Sequence, residues 1–169
     1  ANTQAPLLHE AADEGHIAGM NALADTPTRF QRRTPLGIVF CDPNIATVGQ
    51  RFADMDPAHT VTGTASFDNQ GRARTAQQNH GRICIHADQA TGRLLGAEMC
   101  APQGEHMAHL LALAIQQKLT VHDLLGMPFY HPTLEEGLRT ALRDTARQLP
   151  QGRESDLATC TAIGVAALE

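Results

Sequence analysis

The order of its secondary-structure segments constrains the fold of this chain more than any other feature of the sequence. Strand-like patterns, which alternate apolar and polar residues or are rich in β-branched residues, come first: 36–40, 45–49, 59–67, 81–88 and 93–101. Helical patterns, with apolar residues three and four apart, follow: 104–118, 120–126 and 133–149. Because strands and helices do not alternate, the sequence predicts an α+β domain, an antiparallel sheet of about four or five strands with helices packed on one face.

A further helical pattern precedes the strands at residues 6–24, and its repeating face is unusual. The residues of that face are all small: Ala11, Gly15, Ala18 and Ala22. Such a face forms a poor core but allows another backbone to approach closely. We therefore expect this helix to pack against a surface that is flat or absent from the chain.

These patterns divide the chain into four parts. Residues 1–24 form a separate helical piece, and the polar, proline-containing stretch 25–35 is a linker. Residues 36–149 form the main domain. Residues 150–169 show no clear period, and we expect them to be a mobile tail.

Composition argues against several classes of function. Apolar residues make up 42% and charged residues 18% of the chain, and the net charge is −5, so disorder and binding to nucleic acid or an anionic membrane are not expected. The four cysteines, Cys41, Cys84, Cys100 and Cys160, form no C-x-x-C pair, which favours reduced thiols in a cytoplasmic protein. We identify neither a signal peptide nor an apolar run long enough to cross a bilayer.

The stretch HPTLEEG at 131–137 carries the main candidate for chemistry. Thr133 and Glu136 have the T-x-x-E spacing of a helix capping box, in which each side chain bonds the other residue's backbone amide. Pro132 restricts His131 to an extended conformation outside the helix, where a nearby carboxylate would prepare its imidazole as a general base. On spacing alone the cap is the favoured interpretation, and the acid–base pair remains open.

Other residues carry weaker signals. His106 and His109 lie three apart beside Glu105, but a zinc site needs a third ligand, so we predict no metal site. Cys84 and Cys100 lie in strand-like stretches, and we interpret them as buried strand thiols, not as nucleophiles. The chain contains no G-x-G-x-x-G or Walker sequence and therefore no dinucleotide cradle of its own.

Four stretches together resemble the pyridine nucleotide–disulfide oxidoreductase family, and most closely its dihydrolipoamide dehydrogenase members. Residues 130–144 are similar to the family's C-terminal H-P-T-x-x-E signature, and 35–49 to two strands that end in A-x-V-G. Residues 91–124 are similar to the stretch that leads into the long interface helix. Residues 6–23 resemble the last helix of the FAD-binding domain. The resemblance covers residues 6–149.

The resemblance implies that residues 36–149 are the family's dimerisation (interface) domain and that 1–24 are a remnant of an FAD-binding domain. In the family, the H-P-T-x-x-E histidine acts as acid and base in the disulfide site of the partner subunit, which gives that role to His131. Glu136 takes the orienting role, and Glu135 is expected to face solvent. The family's His–Pro peptide is typically cis, so the same is expected of His131–Pro132.

The resemblance also implies the cofactors and partners of a full-length parent. The cofactors are FAD and NAD(P), and Leu8 and His9 match backbone positions near the flavin. The partners are a second copy in a homodimer, upstream FAD and NAD domains, and possible lipoyl-bearing proteins. The family's C-x-x-x-x-C and both dinucleotide-binding domains are absent from this sequence, so we expect no bound cofactor and no hydride transfer by this chain alone.

Two departures from the family pattern keep other hypotheses open. Position 84 is Cys where many relatives carry Lys, and the adjacent cysteines near the end of mercuric reductases are missing. One alternative is a stand-alone dimeric interaction module of the same fold without catalysis. Another is a metal-binding module that uses the histidines.

Overall fold

The structure, a computed structural model, describes residues 6–150 and Gly164. The chain divides into two units, Ala1–Arg33 and Thr34–Glu169. The predicted mobile tail, residues 150–169, falls almost entirely outside the described residues, so its mobility stays a prediction.

The first unit contains helix α1 (Leu8–Ala22), whose acidic side is bound by an arginine of the segment that follows it. An Arg32 nitrogen lies 3.0 Å from a carboxylate oxygen of Glu10, and the same guanidinium also bonds Glu14. The small residues of the predicted contact face are exposed: Ala11, Gly15, Ala18 and Ala22. The surface that would cover them stays a prediction.

The second unit is built on a five-stranded antiparallel sheet, which confirms the predicted fold class. Its strands are β1 (Leu36–Val39), β2 (Asn44–Gly49), β3 (Thr60–Ser66), β4 (Arg82–Asp88) and β5 (Leu94–Ala101). They lie in the order β1-β2-β5-β4-β3, and every neighbouring pair is antiparallel. The last two strands, β4 and β5, form an antiparallel hairpin.

The two faces of the sheet differ because successive side chains of a strand point to opposite sides. On β4, Ile83, Ile85 and Ala87 are fully buried in the core shared with the helices. On the opposite face of the same strand, Arg82 is exposed and Cys84 is half-buried. The alternation in the sequence predicted this division for Arg82 and Cys84, but His86 on the same face is buried and stacked against Phe52.

Helices cover the apolar face of the sheet. They are α2 (Gly71–Thr75), α3 (Gly104–Gln116), α4 (Val121–Leu125) and α5 (Glu135–Ala146). Helix α3 packs on β2 and β5, and α5 packs on β3 and β4. Thr120 begins α4 with a capping box, its hydroxyl accepting from the Asp123 amide at 3.1 Å, as a threonine just before a helical pattern favours. Among the helices that the structure describes, none is both long and apolar enough to cross a bilayer.

Two short elements were not predicted, helix α2 and a 3₁₀ turn at Phe52–Asp54. Both are too short to show a helical period in the sequence. In α2 only Ala73 is buried, so no apolar stripe marks the helix. Helix α2 nevertheless matters for the site, because the residue that caps it also reaches the loop of His131.

Gly63 provides a direct test of how α5 lies on the sheet. A Cβ atom at this position of β3 would come within 2.2 Å of the Thr145 backbone nitrogen and 2.5 Å of the Ala141 carbonyl oxygen. Because backbone atoms of a packed helix cannot rotate aside as a side chain can, we predict that Gly63→Ala destabilises the domain by about 1–3 kcal/mol. Urea unfolding followed by circular dichroism measures the loss.

Gly71→Ala is the matched control, because no atom beyond its chain neighbours and its own helix backbone lies within 4 Å of a Cβ atom built there. Its effect on the free energy of unfolding is expected to stay within about 0.5 kcal/mol of zero. Equal losses for the two variants would contradict the close approach of α5 to β3.

Candidate active site

The loop between α4 and α5 displays the candidate histidine at the surface. The side chain of His131 is 79% exposed, and the preceding Tyr130 is 81% exposed. The His131–Pro132 peptide bond is cis, as the family resemblance predicted. The imidazole therefore projects from the loop and is not packed into the side of the helix.

One carboxylate holds the imidazole. The Nδ1 atom of His131 lies 2.9 Å from Oε1 and 3.1 Å from Oε2 of Glu136. An ionised carboxylate can only accept hydrogen bonds, so Nδ1 carries the proton, and in the neutral ring Nε2 keeps its lone pair. The structure thus brings the two predicted site residues together and leaves Nε2 as the ring atom that can take up a proton.

The same carboxylate also binds the backbone. Its Oε2 accepts from the Thr133 amide at 3.2 Å, which is one half of the predicted capping box. The other half is absent, because the Thr133 hydroxyl donates instead to the Tyr130 carbonyl oxygen at 2.8 Å. The side-chain cap predicted for Thr133 is therefore not formed: α5 begins at Glu135, its cap position is Leu134, and no side chain of the described residues caps it.

The neighbouring carboxylate behaves differently from the prediction. Glu135 is half-buried and does not simply face solvent. It lines a surface cleft of about 400 Å³ together with Arg72, Gln103 and Tyr130. Side chains of a helix lean back towards its N-terminus, which brings the first residue of α5 over the preceding loop.

A glutamine that the sequence did not reveal anchors the loop. The Nε2 of Gln70 donates to the Thr133 carbonyl oxygen at 2.5 Å, and its Oε1 accepts from the Ala73 amide at 2.6 Å. One side chain therefore caps α2 and holds the residue whose amide Glu136 binds. No sequence signal indicated this contact, since Gln is not a preferred cap residue and its partner lies 63 residues away.

Hydrogen bonds at the site stabilise the ionised form of Glu136. The pKa of the Glu136 carboxyl lies below its usual 4.5. The hydrogen bond from His131 is the largest cause of this shift and the Thr133 amide contributes to it, whereas partial burial opposes it. Because the folded pKa is lowered, the stabilisation is fully present above the unfolded value of about 4.5 and is lost as the pH falls through the folded value. The carboxylate is therefore ionised at neutral pH.

Leu8 and His9 lie in the first turn of α1, as the predicted helix start requires. Among the described residues, no side chain caps this helix, so its first backbone N–H groups are available to an acceptor. The arrangement is compatible with an electron-rich partner such as a flavin edge. Their role in binding a cofactor stays a prediction.

The histidines of α3 are accounted for by local contacts. His109 Nδ1 lies 2.6 Å from the Glu105 carbonyl oxygen, and His106 Nε2 lies 3.7 Å from a Glu105 carboxylate oxygen. Within the described part of the chain, no group of three His, Cys, Asp or Glu side chains could hold a metal ion.

Comparison with known proteins gives this geometry a context. The family model of the pyridine nucleotide-disulphide oxidoreductase dimerisation domain matches residues 36–142. The chain belongs to this family. The match runs from β1 into α5 and so includes both the sheet and the contact between His131 and Glu136.

Curated relatives of this dimerisation domain are full-length oxidoreductases. A dihydrolipoyl dehydrogenase of Haloferax volcanii is 33% identical over 144 residues, which are 84% of this chain and 30% of the relative. A mercuric reductase of Acidithiobacillus ferrooxidans is 31% identical over 150 residues, which are 88% of this chain and 27% of the relative. The chain therefore spans less than a third of the length of these relatives.

Solved structures show the same dimerisation-domain fold. LpdA from Mycobacterium tuberculosis has a TM-score of 0.72 at 28% identity, covering 84% of this chain and 31% of that chain. The HOCl-induced flavoprotein disulfide reductase RclA from Escherichia coli has a TM-score of 0.70 at 21% identity, covering 82% and 33%. The second likeness shows the fold alone.

The bond between His131 and Glu136 predicts a measurable coupling of the two side chains. In a carbon-detected NMR titration, the Glu136 carboxyl should titrate below its usual 4.5 and should move upwards in His131→Ala, which removes the largest cause of the shift. Asp123, whose pKa is lowered by its bonds to Thr120, is the internal control and should not move. If the titration midpoint of the Glu136 carboxyl is the same in His131→Ala as in the unaltered protein, the contact between the two side chains would be contradicted.

Gln70→Glu separates the two roles of the glutamine. The carboxylate keeps the acceptor that caps α2 but loses the donor to Thr133, so we predict increased loop motion at 130–134 in ¹⁵N relaxation while α2 stays intact. Gln70→Ala loses both bonds and should also destabilise the domain by about 0.5–2 kcal/mol. An unchanged loop in Gln70→Glu would show that this hydrogen bond does not hold it.

Proposed function

We propose that this chain is the C-terminal interface domain of a flavin-dependent, dihydrolipoyl dehydrogenase-like disulfide oxidoreductase. It mediates homodimerisation and supplies His131 and Glu136 as an acid–base pair to the disulfide site of the partner subunit. The observation that carries the proposal is the exposed imidazole, bound at Nδ1 by a carboxylate and free at Nε2 to exchange a proton. The dimerisation family and the dihydrolipoyl dehydrogenases among the relatives support the class of reaction.

The proposed chemistry of His131 is proton transfer with a substrate thiol. The thiolate, and not the thiol, attacks a disulfide sulfur, so removal of the thiol proton controls the rate of exchange. The lone pair on Nε2 accepts that proton, which converts the ring to an imidazolium. The Glu136 carboxylate stabilises the imidazolium and fixes the orientation of the ring.

The exposure of His131 supports action in a second subunit. Sites of proton transfer commonly exclude water, which strengthens the interactions inside them. An imidazole with 79% of its side chain exposed has no such enclosure within its own unit. Docking of a partner subunit over the loop would supply the enclosure together with the disulfide.

FAD and NAD(P) are the cofactors that we propose for the full-length parent, where the flavin carries electrons between the nicotinamide and the disulfide. On this chain, the backbone N–H groups of Leu8 and His9 would hold the flavin edge, a role supported by the uncapped start of α1, because the start of a helix favours electron-rich partners. Upstream FAD and NAD domains and lipoyl-bearing proteins complete the proposed partners. The wide spacing of the cysteines in the sequence supports a reducing, cytoplasmic location.

Substitution of the histidine in the full-length parent tests its role. His131→Gln keeps a hydrogen-bonding group but removes the proton acceptor, so we predict that oxidation of the dithiol substrate slows by about 10²–10⁴-fold while flavin content is unchanged. Stopped-flow absorbance of the flavin measures both quantities. Glu135→Gln removes the neighbouring carboxylate and is the matched control, with a rate expected near that of the unaltered enzyme.

Two results would contradict the assigned role. If His131→Gln loses flavin and thiol oxidation to the same extent, the residue supports folding and does not act in proton transfer. If its rate is unchanged, the exposed pair has no part in catalysis. The second result would favour a domain that mediates dimerisation and takes no part in the reaction.

A further inference from the structure

Two cysteines lie together on the face of the sheet opposite the helices. In the pairing of β4 with β5, Cys84 lies directly opposite Glu98, and Arg82 lies directly opposite Cys100. Paired residues share a face, as do residues two apart on a strand, so these four side chains form a square with the thiols on one diagonal. Both thiols are partly exposed, and neither is in a disulfide.

The separation of the two strand positions determines what can join the thiols. Diagonal neighbours of an antiparallel pair have Cα atoms about 7–8 Å apart, whereas a disulfide requires about 4.4–6.8 Å. The sulfurs therefore cannot bond each other directly without movement of the backbone. A metal ion bound to both sulfurs adds one bond to the bridge and is able to span the diagonal.

We propose that Cys84 and Cys100 form a two-coordinate binding site for a soft, thiophilic cation of the Cu(I) type. Thiolates are the ligands that favour Cu(I) over harder cations. Since no group of three His, Cys, Asp or Glu side chains among the described residues could hold a metal, the site lacks the four ligands of structural zinc. Binding converts the two thiols into thiolates and releases two protons to solvent, and the copper stays Cu(I).

The two charged side chains beside the thiols act on the complex in opposite directions, the Arg82 cation favouring it and the Glu98 carboxylate opposing it. A Cu(I) ion with two thiolates carries one negative charge, and Arg82 lies beside it, directly opposite Cys100. Glu98 is held by the Phe52 amide, which donates to its carboxylate at 3.2 Å. Burial is the largest cause that raises the pKa of the Cys84 thiol, the Arg82 cation opposes that shift and the Glu98 carboxylate adds to it, so the thiol stays protonated until a soft cation displaces its proton.

An anaerobic competition titration of the reduced 169-residue chain with Cu(I) and a chromophoric chelator tests the proposal. Two double variants form a matched pair: Cys41→Ser with Cys160→Ser keeps the proposed site, and Cys84→Ser with Cys100→Ser removes it. We expect the first to bind one Cu(I) per chain, with two sulfur neighbours in X-ray absorption spectra. The second should bind at least about 100-fold more weakly.

Circular dichroism is used to check that both variants are folded. If the serine substitutions unfold the strands, Cys84→Val with Cys100→Val replaces that variant. Equal affinity of the two double variants for Cu(I) would overturn the proposal. A stoichiometry of one Cu(I) per two chains would also overturn it, because the ion would then bridge two copies. Three or more sulfur neighbours at the ion would overturn it as well. The site does not involve His131, so these outcomes are independent of the proposed function.

Discussion

Helix α5 lies so close to strand β3 that no side chain fits between them at Gly63, and this close approach fixes the position of the candidate active site. A Cβ atom there would collide with the backbone of the helix. The same two elements are joined by the Asp144 carboxylate, which accepts from the Thr64 amide at 2.9 Å. Because Glu136 lies in the first turn of α5, its carboxylate has a set position relative to the sheet, and the loop of His131 is arranged around it.

Glu136 serves structure and chemistry with one carboxylate. Its two oxygens lie within hydrogen-bonding distance of His131 Nδ1, and one of them also accepts from the Thr133 amide. Gln70 holds the carbonyl group of that same threonine, so the loop is bound on both sides of residue 133. The helix start and the acid–base pair are therefore not alternatives, because the group that fixes the loop also orients the imidazole.

The sheet was predictable because its signal is local, with alternation along each strand and apolar spacing along each helix. The same is true of the Thr120 cap, whose partner is three residues away. The T-x-x-E spacing at Thr133 was misleading, because the Thr133 hydroxyl donates to the Tyr130 carbonyl oxygen in the preceding loop and does not cap the helix. The contact of Gln70 with the loop was not predictable, because its partner lies in a distant segment. The proximity of Cys84 and Cys100 depends on the register of two strands, which the spacing of residues along the chain does not encode.

The most direct test of the central claim mixes two inactive subunits of the full-length parent. One subunit carries His131→Gln, and the other keeps His131 but has serine in place of a redox cysteine. If His131 serves the disulfide of the partner, the mixed dimer contains one complete site and recovers about half of the unaltered activity. If the histidine serves the disulfide site of its own subunit, neither site in the mixed dimer is complete, and an inactive mixed dimer would contradict the account.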